Sequence, residues 1–515
     1  MKFKTLKRFV FCAGIFVGLM SCNSETKGTE QSPNIVIILA DDLGYGDPQI
    51  YNVDSKIPTP NIDKLARGGM RFTDAHTPSS VCTPTRYGLL TGRYAWRTPL
   101  KRSVLWAWDK PLIEKNRLTL PKLLKSKQYH TACIGKWHLG WRWPSNTDDG
   151  FVNDTIKIGD YGLKGRNDLW KKMDFSKALA GGPLEAGFDY YFGDDVPNFA
   201  PYTFFENNKL IQIPDRLKPA DMFGTPGPMA EGWELDKVMP TITEKAVDYI
   251  KEQSKTENPF FLYFALTAPH TPIAPASEFK GATEAGSYGD FVYQVDYTVG
   301  QVVEALKASG QLENTLVIFT SDNGSPQRDG TNMAGVAGSV KKYGHDPSKP
   351  WKGMKADILE GGHRVPFVAS WPKKIKENSI NNQVVCLTDI IATVASLVEI
   401  PYDEKNAMED SYDISSLFMG SDAPVRTDIV HHAINGTFAI RKGAWKLILG
   451  KGPGGFSRSL NLPEFPVKTE GQLYNLSNDP SETDNVYAEY PEKVRELTEL
   501  LNQYKINGSS NQIEI

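Results

Sequence analysis

At 515 residues the chain is long enough for one large domain and a smaller companion, and 40% hydrophobic with 23% charged residues is the composition of a globular protein. A formal charge of −3 argues against a nucleic-acid binder, so an anionic ligand has to be met by a local cluster of positive groups. Five scattered cysteines, Cys12, Cys22, Cys82, Cys133 and Cys386, include no C-x-x-C pair and suggest neither a zinc ribbon nor a dense disulfide framework.

In chain order, Lys2, Lys4, Lys7 and Arg8 precede an apolar run from Phe9 to Met20. That run is shorter than the ~20 residues that span a bilayer, so residues 1–21 read as a signal peptide. Leu19-Met20-Ser21-Cys22 resembles a bacterial lipobox, which implies lipidation at Cys22. The expectation is an exported protein of the periplasm or cell surface, touching the membrane through its lipid anchor only. Residues 22–32 are polar and read as a flexible tether.

Asn34-Ile35-Val36-Ile37-Ile38-Leu39-Ala40 is an uninterrupted β-branched run, suited to a central strand buried on both faces of a parallel sheet. It stops at Asp41-Asp42. Adjacent carboxylates there are costly without a cation or partner. Residues from Asn61 to Gly69 read as a helix with a glycine stop.

Pro84 suits the first turn of a helix running to Leu90, with Cys82 just ahead of it. Free N–H groups at such a start favour an anion and lower a thiol's pKa. Arg86 lies one helical turn beyond Cys82 and reaches the same spot.

Leu118 to Lys127 reads as a helix and Tyr129 to Gly135 as a strand. If the backbone stays extended, Lys136 and His138 point to one side. Trp141 to Gly232 shows no periodicity and reads as long ordered loops on the rim of a site. Met239–Gln253 and Phe291–Ser309 are helical. Pro259–Leu266 is a buried strand leading to His270, and Thr315–Thr320 is another leading to Asp322-Asn323. Beyond Pro401 the pattern changes to the antiparallel alternation of Phe438–Arg441 and Trp445–Leu449, then a helix from Glu492 to Tyr504. Strand ends carrying Asp41-Asp42, Lys136 and His138, His270, and Asp322-Asn323 point to one site at one sheet edge.

The five residues Cys82-Thr83-Pro84-Thr85-Arg86 resemble the C-x-[PA]-[ST]-R signature of the type I, formylglycine-dependent sulfatases of the alkaline-phosphatase-like superfamily, and Leu89-Leu90-Thr91-Gly92-Arg93 resembles its continuation. Asp41-Asp42, Lys136-x-His138, Pro269-His270, Asp322-Asn323-Gly324, Lys355 with Glu360-Gly361-Gly362-x-Arg364-x-Pro366, and Leu473-Tyr474-Asn475-Leu476 with Asp479-Pro480 follow in that family's order.

The resemblance implies an α/β fold. A large mixed, mostly parallel sheet is sandwiched by helices over residues 33–405, and a smaller antiparallel-sheet plus helix subdomain covers 406–515. It implies that a maturase oxidises Cys82 to formylglycine. It also implies that Asp41, Asp42, Asp322 and Asn323 hold Ca²⁺ with an oxygen of the modified Cys82. Magnesium is the alternative, although four protein oxygen ligands suit calcium better.

Sulfate is negatively charged and resists attack, so fixed positive groups are needed around it. By resemblance Lys136 and Lys355 clamp the sulfate, and Arg86 holds the formylglycine hydrate. One hydrate oxygen attacks sulfur. His270 protonates the departing alcohol and His138 takes the proton that lets sulfate leave. The implied substrate is a sulfated carbohydrate, a glycosaminoglycan or mucin-type glycan, with Trp106, Trp108, His345 and His363 as candidate sugar contacts. Trp141 and Trp143 are further stacking candidates, although for all four tryptophans core or rim packing is the commoner role. Two other readings stay open at this point: a phosphomonoester or phosphonate hydrolase of the same superfamily, and a non-catalytic lipoprotein that binds sulfated glycans.

Overall fold

Ile35 to Ala40 are fully buried, and Asn34–Ala40 is the central strand of a ten-stranded sheet. The computed structural model describes residues 1–2, 31–160, 165–403 and 407–511. Cys22 and nearly all of the expected signal and tether lie outside the described residues, as does the boundary drawn at residue 405. Residues 33–515 form one compact unit.

Across the sheet the order is Ser379–Asn381, Met70–Phe72, Phe367–Ser370, Thr315–Ser321, Asn34–Ala40, Phe260–Ala265, His130–Gly135, Tyr190–Gly193, Phe205–Glu206 and Lys209–Leu210. The strands from Thr315–Ser321 to Tyr190–Gly193 are mutually parallel, while Phe367–Ser370 and Phe205–Glu206 pair antiparallel with their neighbours. Register brings the functional strand ends together. Ala40 lies opposite Ser321, Leu39 opposite Ala265, and Ala265 opposite Gly135. Asp41, Asp322, Lys136 and the segment leading to His270 therefore leave the sheet at one edge.

Alternate side chains of the central strand feed two cores. Val36 and Ile38 pack with Ile62, Ile242, Val292 and Val299, from the helices Pro60–Arg67, Val238–Gln253 and Gly286–Ala308. Ile35, Ile37 and Leu39 belong to the opposite core with Leu89, Leu124 and Ile391, from Cys82–Thr91, Leu120–Lys125 and Ile390–Leu397. This is the helix-covered, mostly parallel mixed sheet that the family resemblance implies, with the apolar runs as its central strands. One expectation changes. Part of the aperiodic Trp141–Gly232 region is sheet, because Tyr190–Gly193 pairs with His130–Gly135 and carries the edge hairpin beyond it. Those strands are two to four residues long, too short for periodicity to mark them.

A separate four-stranded antiparallel sheet, Asp428–His432, Phe438–Lys442, Trp445–Ile448 and Gln472–Asn475, packs under the helix Pro491–Asn507 through Val430, Ile440, Leu447, Leu497 and Leu501. Buried ion pairs tie this sheet to the segment just after the site. Lys446 Nζ lies 2.9 Å from Glu360 and 2.7 Å from Glu482, and Arg441 lies 2.7 Å from Asp74.

Between these pairs sit three buried imidazoles. His76 and His363 are hydrogen-bonded through Nδ1 at 3.0 Å, and His431 stacks on His363 at 3.7 Å. Burial holds all three below the usual histidine range. For His431, His76 and Lys446 lower it further, against the smaller upward pull of Glu360. Folded His431 is thus neutral where an unfolded histidine protonates, below about pH 6.5. The unfolded state then binds the extra proton, so folding loses about 1.4 kcal/mol per pH unit below that point. His431→Gln removes this cost. Denaturation from pH 7.5 to 5 should show the wild type losing stability relative to the variant. Parallel curves would contradict it.

Candidate active site

The helix Cys82–Thr91 is capped by extended Val81 and ends at left-handed Gly92. It begins at Cys82 itself, two residues earlier than Pro84 implies. Cys82 Sγ donates to Asp41 Oδ1 at 3.6 Å. Arg86 Nε donates to Asp322 Oδ2 at 2.9 Å, and its Nη1 donates to the Lys136 carbonyl at 2.9 Å. Lys136 Nζ donates to Asp41 Oδ2 at 2.7 Å. Lys355 Nζ lies 2.6 Å from Asp42, which also accepts from Asn323 Nδ2 at 2.7 Å. His270 Nε2 is 3.7 Å from Asp42. Sequence reasoning assigns these residues to one site, and the structure brings all of them together.

Three carboxylates, Asp41, Asp42 and Asp322, thus face three cations, Arg86, Lys136 and Lys355. All are buried, Lys355 least so at 8% exposure and His270 beside it at 7%. Burial raises the Asp41 carboxyl, yet Lys136, His270, Arg86 and Lys355 together hold it well below the usual carboxylate range. Burial and Asp41 push Asp322 up to about 7.

Two close approaches make the site possible. A Cβ on Gly135 would sit 1.9 Å from the Ala265 carbonyl oxygen, so only glycine lets Lys136 turn over the strand end. Gly324 is likewise pressed on the Gly361 carbonyl, which sets Asn323 beside the Glu360–His363 turn. Asp42, His138 and Ala356 all adopt positive φ, a costly conformation for these residues that gathers here at the site.

Several sequence expectations are corrected. His138 has φ 54°, so the backbone does not run extended and His138 does not share a face with Lys136. Its Nε2 donates to the Leu105 carbonyl at 2.9 Å, and its ring meets Phe199 edge-on at 5.8 Å. Nδ1 is buried without a hydrogen-bond partner. The Cys82 thiol is not lowered: burial and Asp322 push it up to about 12, outweighing Lys136 and Lys355.

His345 is buried and locked to Asp47 at 2.9 Å, so it braces the loop after Asp42 instead of facing a sugar. His363 is fully enclosed in the histidine cluster and is not available to a sugar hydroxyl. Trp108 is buried against Trp143, and Trp141 and Trp143 are core residues. Trp106 is 42% exposed and stacks on Phe199 at 5.5 Å.

Sequence reasoning missed Asp194 and Asp195. Asp195 Oδ1 accepts the His138 N–H at 3.2 Å and Trp141 Nε1 at 3.2 Å, holding the histidine in its strained conformation. Both Asp194 oxygens are buried without partners, and burial with Asp195 raises its carboxyl to about 7. The signal was present: Tyr190–Gly193 is a strand that ends in two aspartates, as Asn34–Ala40 does.

Whether the residues fit a metal can be tested on the protein alone. Asn323 Oδ1 is a buried acceptor that nothing donates to, and burial and Asp41 raise Asp322 against the lowering by Arg86 and Lys136. Ligand atoms of Asp41, Asp42, Cys82 and His270 all lie within 4.8 Å of one another. Within that group Asp41 and Asp42 supply carboxylate oxygens, and the unpartnered Asn323 Oδ1 adds an amide oxygen, donors that suit a hard divalent cation.

A family model described as Sulfatase matches residues 33–400. The chain belongs to the sulfatase family and is a sulfuric ester hydrolase, which sets aside the phosphomonoester hydrolase and non-catalytic readings. N-acetylgalactosamine-6-O-sulfatase of Bacteroides thetaiotaomicron is 33% identical over 513 residues, 95% of this chain and 96% of that protein. Human arylsulfatase A is 29% identical over 491 residues, covering 92% and 87%. A solved structure from work on the metabolism of multiple glycosaminoglycans by Bacteroides thetaiotaomicron superposes with a TM-score of 0.76 at 31% identity. It covers 92% of this chain and 100% of the other.

Proposed function

We propose that this sulfatase removes sulfate from a sulfated carbohydrate, a glycosaminoglycan or mucin-type glycan, with formylglycine made from Cys82 and a bound calcium. The observation that carries the reading is the buried ring of Asp41, Asp42, Asp322 and Asn323 around Cys82, with Lys136 and Lys355 pointing into it. Asp41, Asp42, Asp322 and Asn323 would hold the calcium. Bound there, the ion supplies positive charge for the sulfate, and the oxidised Cys82 supplies the nucleophile. With their carboxylates so engaged, Lys136 and Lys355 are free to hold the sulfate oxygens. Arg86, buried between Asp322 and the Lys136 carbonyl, fixes the cationic wall behind residue 82.

The two histidines differ in which nitrogen is free. His270 Nδ1 is tied to the Thr271 carbonyl, which leaves Nε2 facing the pocket to carry a proton to the departing alcohol. Burial, then Lys355, lowers His270 to about 4 in the ligand-free protein, and a sulfate held between Lys136 and Lys355 offsets the lysine charge. His138 carries its proton on Nε2, so its bare Nδ1 accepts one. Burial holds it neutral.

The relatives' names direct the first assay to N-acetylgalactosamine 6-sulfate. The maturase-treated protein should release inorganic sulfate from it, or from another member of a panel of sulfated sugars. EDTA should bring the rate to background, lower the melting temperature by several degrees and remove calcium detected by elemental analysis, with recovery on adding Ca²⁺. A full rate with no metal present would reject the ligand assignment.

The basic start, apolar run and Cys22 support export and a lipid anchor at Cys22. Expressed at full length, the protein should partition with membranes, and Cys22→Ala should release it. A soluble wild type would refute the anchor.

A further inference from the structure

We propose that the domain, anchored through Cys22, faces the lipid headgroups with the end of the sheet where the central strand begins, and so holds its active site away from the bilayer. Its substrates then come from the solvent side, and a sulfated sugar carried on a lipid of the same membrane is out of reach. The inference rests on the lipid-anchor reading above.

The point of entry is the first argument. The residues of the pocket leave the sheet at the carboxyl ends of the parallel strands. The chain from Cys22 enters at their amino ends, through Pro33 into Asn34, which lies opposite Thr315 where the next strand also begins. The strand Asn34–Ala40 puts about 20 Å between the two ends, at ~3.3 Å per residue. The entry is pinned. The Pro33 carbonyl accepts Tyr129 Oη at 2.6 Å. Asn34 is buried, its Nδ2 donates to Gln311 Oε1 at 2.9 Å, and its Oδ1 accepts the Phe260 N–H at 3.0 Å. The attachment point therefore cannot peel off the sheet to lengthen the connection.

Reach is the second. Pro33 is eleven residues beyond Cys22. In any conformation that stretch spans at most ~40 Å. A domain of this length is roughly 60 Å across, so the path over its surface from one end to the other is about 90 Å. With the pocket pressed to the membrane the connection would have to cover that path, and it covers less than half. The domain can roll on its anchor but cannot turn over.

The surface around the entry agrees. Residues 125–128 and 255–258 lead into strands at this end. Residues 371–376 join them, because Phe367–Ser370 runs antiparallel and the Lys373 N–H donates to the Glu313 carbonyl. These loops present Lys127, Lys255, Lys374 and Lys376 beside acidic Glu257, and among the described residues they carry no large exposed hydrophobic. Lysines in such a surface meet the phosphates of lipid headgroups, and without an apolar side chain to insert the face stays outside the hydrocarbon. Val336, 72% exposed, stands on the other side, in the loop that follows Asp322-Asn323. That loop is tied to the far end of the strands, since the Met333 carbonyl accepts the N–H of Ile273, three residues beyond His270.

The test uses full-length lipidated protein in phosphatidylcholine vesicles that contain an energy acceptor on some headgroups. Cys82, Cys133 and Cys386 are buried, so a maleimide donor marks one added cysteine, Lys127→Cys at the entry end or Val336→Cys at the site end. Transfer to the headgroups should be several-fold stronger from Lys127→Cys. Inserting about forty Gly and Ser residues between Ser32 and Pro33 extends the reach past the path around the domain and should narrow that difference. The sugar sulfate turned over in the panel above, coupled to a headgroup by a short linker, should be cleaved about tenfold or more slowly by the anchored wild type than by the long-linker variant, since a connection that cannot span leaves no effective concentration. Both should cleave the free sugar at one rate. Equal transfer from the two positions, or equal rates on the lipid-linked sugar, would overturn the orientation with the anchor intact. Protein that stays off the vesicles, with no lipid mass on Cys22, would overturn the anchor and the orientation with it.

Discussion

Cys82→Ala should abolish sulfate release, a loss of roughly 10⁴–10⁶-fold, as expected when a nucleophile is deleted from a preorganised site. Cys82 is 1% exposed at the first residue of its helix, with Sγ 3.6 Å from Asp41. Burial and the carboxylates push its thiol up to about 12, so at neutral pH the unmodified side chain is a protonated thiol and a poor nucleophile. On the proposed mechanism, turnover depends on oxidation to formylglycine. Wild-type protein made with a maturase should yield a Cys82 peptide whose mass records loss of the thiol and gain of an aldehyde. Without maturase the rate should fall with the unmodified fraction. Lys136 and Lys355 remain in Cys82→Ala, so the variant should still bind substrate and keep its melting temperature. Cys82→Ser should be inactive unless the host's maturase accepts serine. An active preparation whose Cys82 is still a thiol would refute the mechanism.

The central strands were legible because both their faces are buried. Asn34–Ala40, Phe260–Ala265 and Thr315–Ser321 are apolar without alternation and stop at charged residues. The same feature made most of the site legible, since parallel strands in register deliver their carboxyl ends to one place. What stayed hidden depends on contacts distant in sequence or on a single dihedral. Nothing local marks His138 for positive φ, yet that turn decides that Lys136 reaches Asp41 while His138 reaches Leu105. The helix-start argument for a lowered thiol omitted burial, which only the packed fold supplies. His345 and His363 looked like free polar residues because their partners, Asp47 and His76, lie almost three hundred residues away. Asp194 and Asp195 follow a strand of four residues in an aperiodic region, so the pattern that exposed Asp41 and Asp322 was too brief to notice.

His270→Ala should lose far more activity on a sulfated sugar than on an activated aryl sulfate. A sugar alkoxide is a poor leaving group and needs a proton as the bond to sulfur breaks, whereas nitrophenolate departs nearly unaided. General acid catalysis contributes ~10²–10⁴-fold, so the gap between the two substrates should reach that size. The geometry motivates the assignment. His270 is 7% exposed, with Nδ1 held by the Thr271 carbonyl and Nε2 turned toward Asp42. His138 packs against Phe199, its Nδ1 bare and its backbone held by Asp195. If His138 is the base that releases sulfate after the alcohol has gone, as proposed, His138→Ala should slow both substrates by similar factors. Steady-state and single-turnover rates on a sulfated hexosamine and on para-nitrophenyl sulfate separate the two steps, provided the aryl ester is turned over. In single turnover His138→Ala should release alcohol promptly and inorganic sulfate slowly. Equal losses on both substrates for His270→Ala, with slow sulfate release there and not in His138→Ala, would reverse the two roles.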